Sequence, residues 1–171
     1  MESKVKVAGH PLHPMLIVFP LGLLATGVAF DIAALVSGDA GWFNISFWLI
    51  AAGILGGLLA AFPGLIDWYA IPRNTRAKTI GLLHGGGNVV VLILFAISWF
   101  LRRANATVPS DGALVLSFVA VVIALGTGWL GGELVDRLGV GVDDGAHLDA
   151  PSSLSGRPAT EPPPQQLRRA S

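Results

Sequence analysis

Four long apolar stretches dominate this chain and leave few folds open to it. They are Met15–Val36, Trp42–Phe62, Thr79–Leu101 and Ala113–Val135. Each is about 21–23 residues, and a helix rises about 1.5 Å per residue, so each covers roughly the 30 Å of a bilayer's hydrocarbon core. In lipid the backbone must satisfy its own hydrogen bonds, which a helix does. Charged residues make up only 13% of the 171 residues. That is about half the share of a soluble domain, too little to cover a water-facing surface. The expected fold is all-α: a polytopic membrane protein with a bundle of four transmembrane helices and both termini on the same side.

The domain plan follows. Residues 1–10 form a cytoplasmic N-terminal segment, residues 11–138 the membrane domain, and residues 139–171 a Pro-rich tail expected to be disordered. The first stretch is too long for a signal peptide and reads as a retained span. Lys4, Lys6, Arg73, Arg76, Lys78 and Arg137 lie at the end that holds both termini, whereas Arg102 and Arg103 lie at the other. Six against two puts both termini in the cytoplasm. Eleven basic and eleven acidic side chains cancel, so nothing argues for nucleic acid. Cysteine is absent, which excludes disulfides and thiolate chemistry. Small residues recur at four-residue steps, as in Gly53-Gly57-Ala61, Gly81-Gly85 and Gly128-Gly132. Such stripes permit close helix approach, within one bundle or in a homo-oligomer.

Ionisable groups against lipid are functional candidates. His10, His13, Asp67, His84 and Glu133 all fall towards the end that holds the termini, and all four helices contribute. His10 and His13, three apart, share a face if both are helical. They read either as half of a metal site or as hydrated histidines at a proline-fixed helix start. His84 lies beside Gly85-Gly86-Gly87, with Asn88 one turn on and able to hold its ring. It reads either as a ligand or as a clamp bonded to Asp67 or Glu133. Asp67 follows Pro63, which can kink or end the second helix. It could bond helix-start N–H groups, ligate a metal, or pair with Arg73 or Arg76. Glu133 is placed to pair with Arg137. Asp31 is the outlier, five turns beyond His13. It bonds a neighbouring helix or marks the outer end of a proton path.

The string Gly9-His10-Pro11-Leu12-His13-Pro14, continuing to Pro20 and opening a four-helix chain, resembles the domain of unknown function 2231 family. Asp31, Asp67-Trp68, His84 and Gly131-Gly132-Glu133-Leu134-Val135 look like its further motifs, over roughly residues 8–142. The resemblance implies a bacterial integral membrane protein, in the inner membrane, and supports treating the histidines as a set. It implies no particular reaction.

Three functions are open at this level. The first is a metal or haem b site serving redox chemistry, with His10, His13, His84, Asp67 and Glu133 as metal ligands and His13 and His84 as cofactor ligands. The second is a small proton- or ion-coupled permease component, with Asp31, His84 and Glu133 as relay groups. The third is a non-catalytic structural protein whose polar groups, Asn88 included, clamp helices together. No hydrolase or transferase motif is present.

Overall fold

The computed structural model describes residues 1–162. Four helices run α1 Leu12–Ser37, α2 Gly41–Ala70, α3 Arg76–Arg102 and α4 Asp111–Gly132. A π-helical turn over Glu133–Arg137 continues α4. All four helices are long and apolar enough to cross a membrane. Only 17–28% of their apolar windows is buried within the chain, so most of the remaining apolar surface needs lipid as its solvent.

The helices start where caps are available. The Thr75 side chain accepts the Lys78 N–H, and the Ser110 side chain accepts the Ala113 N–H, each satisfying an otherwise orphaned donor. The left-handed Gly38 (φ 75°) stops α1. Of the two outcomes open to Pro63, kinking or ending α2, it does not end the helix, which runs seven residues further, to Ala70. In lipid, neighbouring helices and local adjustments let a spanning helix tolerate a proline.

The helices pack as two hairpins, α1 with α2 and α3 with α4, and α2 also meets α3. The core where the hairpins meet contains Leu24, Val28, Ile50, Val91, Phe95 and Ala120. The glycine stripe of α2 faces inward. A Cβ on Gly53 would lie 2.6 Å from the Leu24 side chain, and one on Gly57 2.6 Å from Leu92. These positions are therefore used for close approach inside the bundle.

The chain before α1 is a small hairpin, β1 Lys6–Val7 and β2 His10–Pro11. Ala8 (φ 51°) and Gly9 (φ 80°) make its two-residue turn. Residues 139–162, the described part of the Pro-rich tail, make contacts with the rest of the chain. They fold back along the N-terminal segment at the end of the bundle where α1 begins and α4 ends. Gly141 donates to the Met1 carbonyl, Lys6 bridges Glu2 and Asp143, and Ser153 donates to the Ala8 carbonyl. Polar contacts hold this stretch without an apolar core. Hydrogen bonds to Asp143 and Glu2 raise the pKa of Lys6, and its bond to Lys6 lowers that of Glu2. The pair therefore stays charged at neutral pH; its contribution fades as pH falls through the Glu2 value or rises through the Lys6 value. The rest of the tail, with Pro163 and Pro164, lies outside the described residues.

Candidate functional site: a histidine pair and a buried ion pair

The sequence-predicted cluster of five ligands does not assemble. His10 sits in β2, outside α1, because the helix begins only at Leu12. It is exposed, with Nδ1 3.2 Å from the Ala8 carbonyl and 3.4 Å from the Ser153 hydroxyl. The Asp67 carboxylate accepts the Ser3 hydroxyl at 2.7 Å and the Lys4 N–H at 2.6 Å, fastening the N-terminal segment to α2. Glu133 accepts from Arg76 on α3 at 2.5 Å, not from Arg137. Among the described residues no three His, Cys, Asp or Glu side chains group closely enough to hold a metal ion.

His13 and His84 do come together. Their ring centres are 6.3 Å apart and their planes stand at 90°. His13 reaches across to α2, where its Nδ1 lies 2.8 Å from the Ala60 carbonyl. Pro63 brings no N–H for the Leu59 carbonyl one residue before, so α2 is locally open to outside donors here. His84 reaches across to α4, where its Nδ1 lies 2.8 Å from the Thr127 carbonyl. A carbonyl only accepts, so Nδ1 carries the proton in both rings. In each neutral imidazole the lone pair is then on Nε2.

Glycines make room for both rings. A Cβ on Gly64 would lie 2.7 Å from His13 Nδ1, and one on Gly131 3.0 Å from His84 Cε1. Asn88 holds the neighbourhood of His84 rather than its ring alone. It donates to the His84 carbonyl at 2.9 Å and accepts the Thr127 hydroxyl at 2.9 Å. His84 therefore has Thr127 and Asn88 as partners, not Asp67 or Glu133. Substituting Gly64 by Val should push His13 off the Ala60 carbonyl while α2 stays helical. Nitrogen-15 chemical shifts of the His13 ring in selectively labelled protein would show the tautomer fixed in wild type and averaged in the variant.

A second polar site lies about five turns away, roughly 27 Å along α1. Arg102 donates to both Asp31 oxygens, at 2.7 and 2.8 Å. Its remaining donors go to the hydroxyls of Ser46, Ser98 and Ser117 at 3.0–3.3 Å. All five residues are fully buried, and they come from all four helices. A guanidinium has five N–H donors, and here each has an acceptor. Sequence reasoning placed Arg102 among loop cations; the structure buries it. A signal was available. A carboxylate within a span calls for a cation at its own depth, and Arg102 is at that depth.

The family model described as "Predicted membrane protein (DUF2231)" matches residues 9–144. The chain belongs to the DUF2231 family. The match begins at the glycine before His10 and so includes both histidines of the pair, Asp31 and Arg102, and ends at Asp144 in the folded-back stretch. No curated protein and no solved structure matches the chain. The DUF2231 match together with the four apolar helices makes this a membrane protein.

Proposed function

We propose that His13 and His84 would hold a haem b, which would supply electron transfer within the membrane. The observation behind this reading is the pair's geometry: two rings 6.3 Å apart, each with Nδ1–H held by a backbone carbonyl. A backbone carbonyl on the far nitrogen is a common arrangement for a metal-bound histidine, because it fixes the tautomer and aims the other nitrogen. Among the described residues the pair offers two imidazole donors and no third His, Asp or Glu beside them, which would suit a metal that arrives within its own macrocycle, as haem iron does. Facing helices of a four-helix bundle are a familiar place for such a site.

The permease reading loses two of its three relay groups, since Asp31 is held by Arg102 and Glu133 by Arg76. The haem reading is tested by titrating hemin into purified protein. Wild type should take up one equivalent with the spectrum of a six-coordinate iron, and His13→Ala and His84→Ala should not. Equal uptake by both variants would refute it.

The proposal places the protein in a bacterial inner membrane with both termini in the cytoplasm. Burial of Arg102 sharpens the charge argument. The opposite end keeps only Arg103 as a solvent-facing cation, resting on Trp99 and Phe100. The chain has no cysteine, so single introduced thiols report cleanly. Ala104→Cys should react with an impermeant maleimide in intact cells, and Ala146→Cys only after permeabilisation. The reverse pattern would invert the orientation. Assembly into a homo-oligomer would use the small residues that meet no neighbour, such as Gly126 and Gly128.

A further inference from the structure

A notch lies at the C-terminal end of α4 and on the turn that continues it. It is lined by Trp129, Gly132, Glu133, Asp136 and Arg137 and has a volume of about 270 Å³. We infer that it is a binding site for the headgroup of a zwitterionic aminophospholipid, phosphatidylethanolamine by chemical class.

The charge inventory makes the case. Glu133 is already neutralised by Arg76. That leaves Asp136 and Arg137, both exposed, and neither makes an ion pair or a side-chain hydrogen bond among the described residues. One free carboxylate beside one free guanidinium complements a headgroup that carries one ammonium and one phosphate. Arginine suits phosphate through its planar fork, and a carboxylate accepts from a primary ammonium. Charge balance therefore favours a zwitterion over an anionic headgroup, to which Asp136 would offer repulsion and no partner.

Depth and size agree with this assignment. Trp129 is 67% exposed near the end of α4, where amphipathic rings favour the headgroup zone. Asp136 and Arg137 lie two turns further on, beyond the apolar span. The notch is smaller than the 300–1,000 Å³ typical of drug-sized ligands, which fits a small polar headgroup whose chains stay in the bilayer. It is formed on the π-helical turn Glu133–Arg137. Such turns are rare and often mark functional sites. Here the widened turn carries both the Glu133 contact to α3 and the Asp136–Arg137 pair.

The test uses the full-length protein in vesicles containing equal amounts of phosphatidylethanolamine, phosphatidylcholine and phosphatidylglycerol, extracted gently and analysed by native mass spectrometry. Wild type should retain phosphatidylethanolamine in preference to both others, because choline offers no N–H to Asp136. Asp136→Asn and Arg137→Gln should each lower that retention about tenfold, the scale of one charge-assisted hydrogen bond. Their thermal midpoints should stay at the wild-type value, since neither side chain has a partner to lose among the described residues. Equal or greater retention of phosphatidylglycerol would overturn the assignment in favour of an anionic lipid. Unchanged retention in both variants would overturn the site itself.

Discussion

Replacing Arg102 by Leu should destabilise the bundle by about 3–5 kcal/mol, the cost of stranding a buried charge. The guanidinium and the Asp31 carboxylate are both fully buried, and they bond through two parallel contacts at 2.7 and 2.8 Å. Without Arg102 the carboxylate keeps no cationic partner, and the hydroxyls of Ser46, Ser98 and Ser117 lose a shared donor. Asp31→Leu should cost at least as much, because it strands a guanidinium that cannot shed its proton. Arg102→Lys should fall between, as an ammonium has three donors and no planar fork. The double variant Asp31→Leu with Arg102→Leu should recover much of the loss, because removing both charges removes the desolvation cost as well. Unfolding of the purified protein in mixed micelles, run as a double-mutant cycle, measures this coupling. Single variants within about 0.5 kcal/mol of wild type would mean that the pair is not a structural bolt.

The bolt also explains how two hairpins become one bundle. Asp31 and Ser46 belong to the first hairpin, and Ser98, Arg102 and Ser117 to the second. Association in lipid lacks a hydrophobic drive and depends on packing and polar contacts. A buried ion pair that forms only in one register supplies specificity that the apolar faces of Leu, Val and Ala do not.

The second large effect concerns His84. His84→Ala should abolish haem binding yet leave the fold nearly intact. What the fold loses is the hydrogen bond from Nδ1–H to the Thr127 carbonyl and the longer contact of Asn88 Nδ2 with Nε2, at 3.4 Å; the first is worth about 0.5–1.5 kcal/mol. Asn88 still bonds the Thr127 hydroxyl, so α3 and α4 keep a polar contact at that level. Loss of the ligand, by contrast, should be complete, since the pair offers two donors and one cannot replace two. A clamp role predicts the opposite pattern: a large fall in the melting temperature and no spectral consequence. His13→Ala should behave as His84→Ala does, whereas His10→Ala should leave both the spectrum and the fold unchanged, because His10 is exposed and its ring contacts are to Ala8 and Ser153.

The apolar lengths of the sequence were enough to place the four spans, because span length is a local property set by bilayer thickness. The helices nonetheless overrun those stretches: α2 continues through Pro63 to Ala70 and α3 begins at Arg76. Polar residues such as Asp67 and Arg76 end an apolar run without ending a helix. His13 and His84 were legible as embedded imidazoles, but their pairing joins residues 71 positions apart and rests on glycines that admit the rings. Asp31 and Arg102 are equally distant in sequence. Arg102 was hidden by its neighbour: Arg102-Arg103 at the end of a span reads as a loop, whereas one turns inward and the other rests on aromatic rings. The five-ligand cluster failed for a related reason. Depth along the helix axis can be counted from sequence, but the azimuth of Asp67 and Glu133 depends on neighbours, and both turn to partners of their own.

The absorption spectrum of the protein as purified from the membrane in mild detergent, with haem and iron quantified in the same sample, tests the central claim most directly. The account predicts a Soret band and close to one haem per chain in wild type, both lost in His13→Ala and His84→Ala. A wild-type sample with no Soret band and no stoichiometric iron, even after growth with added haem precursor, would contradict it.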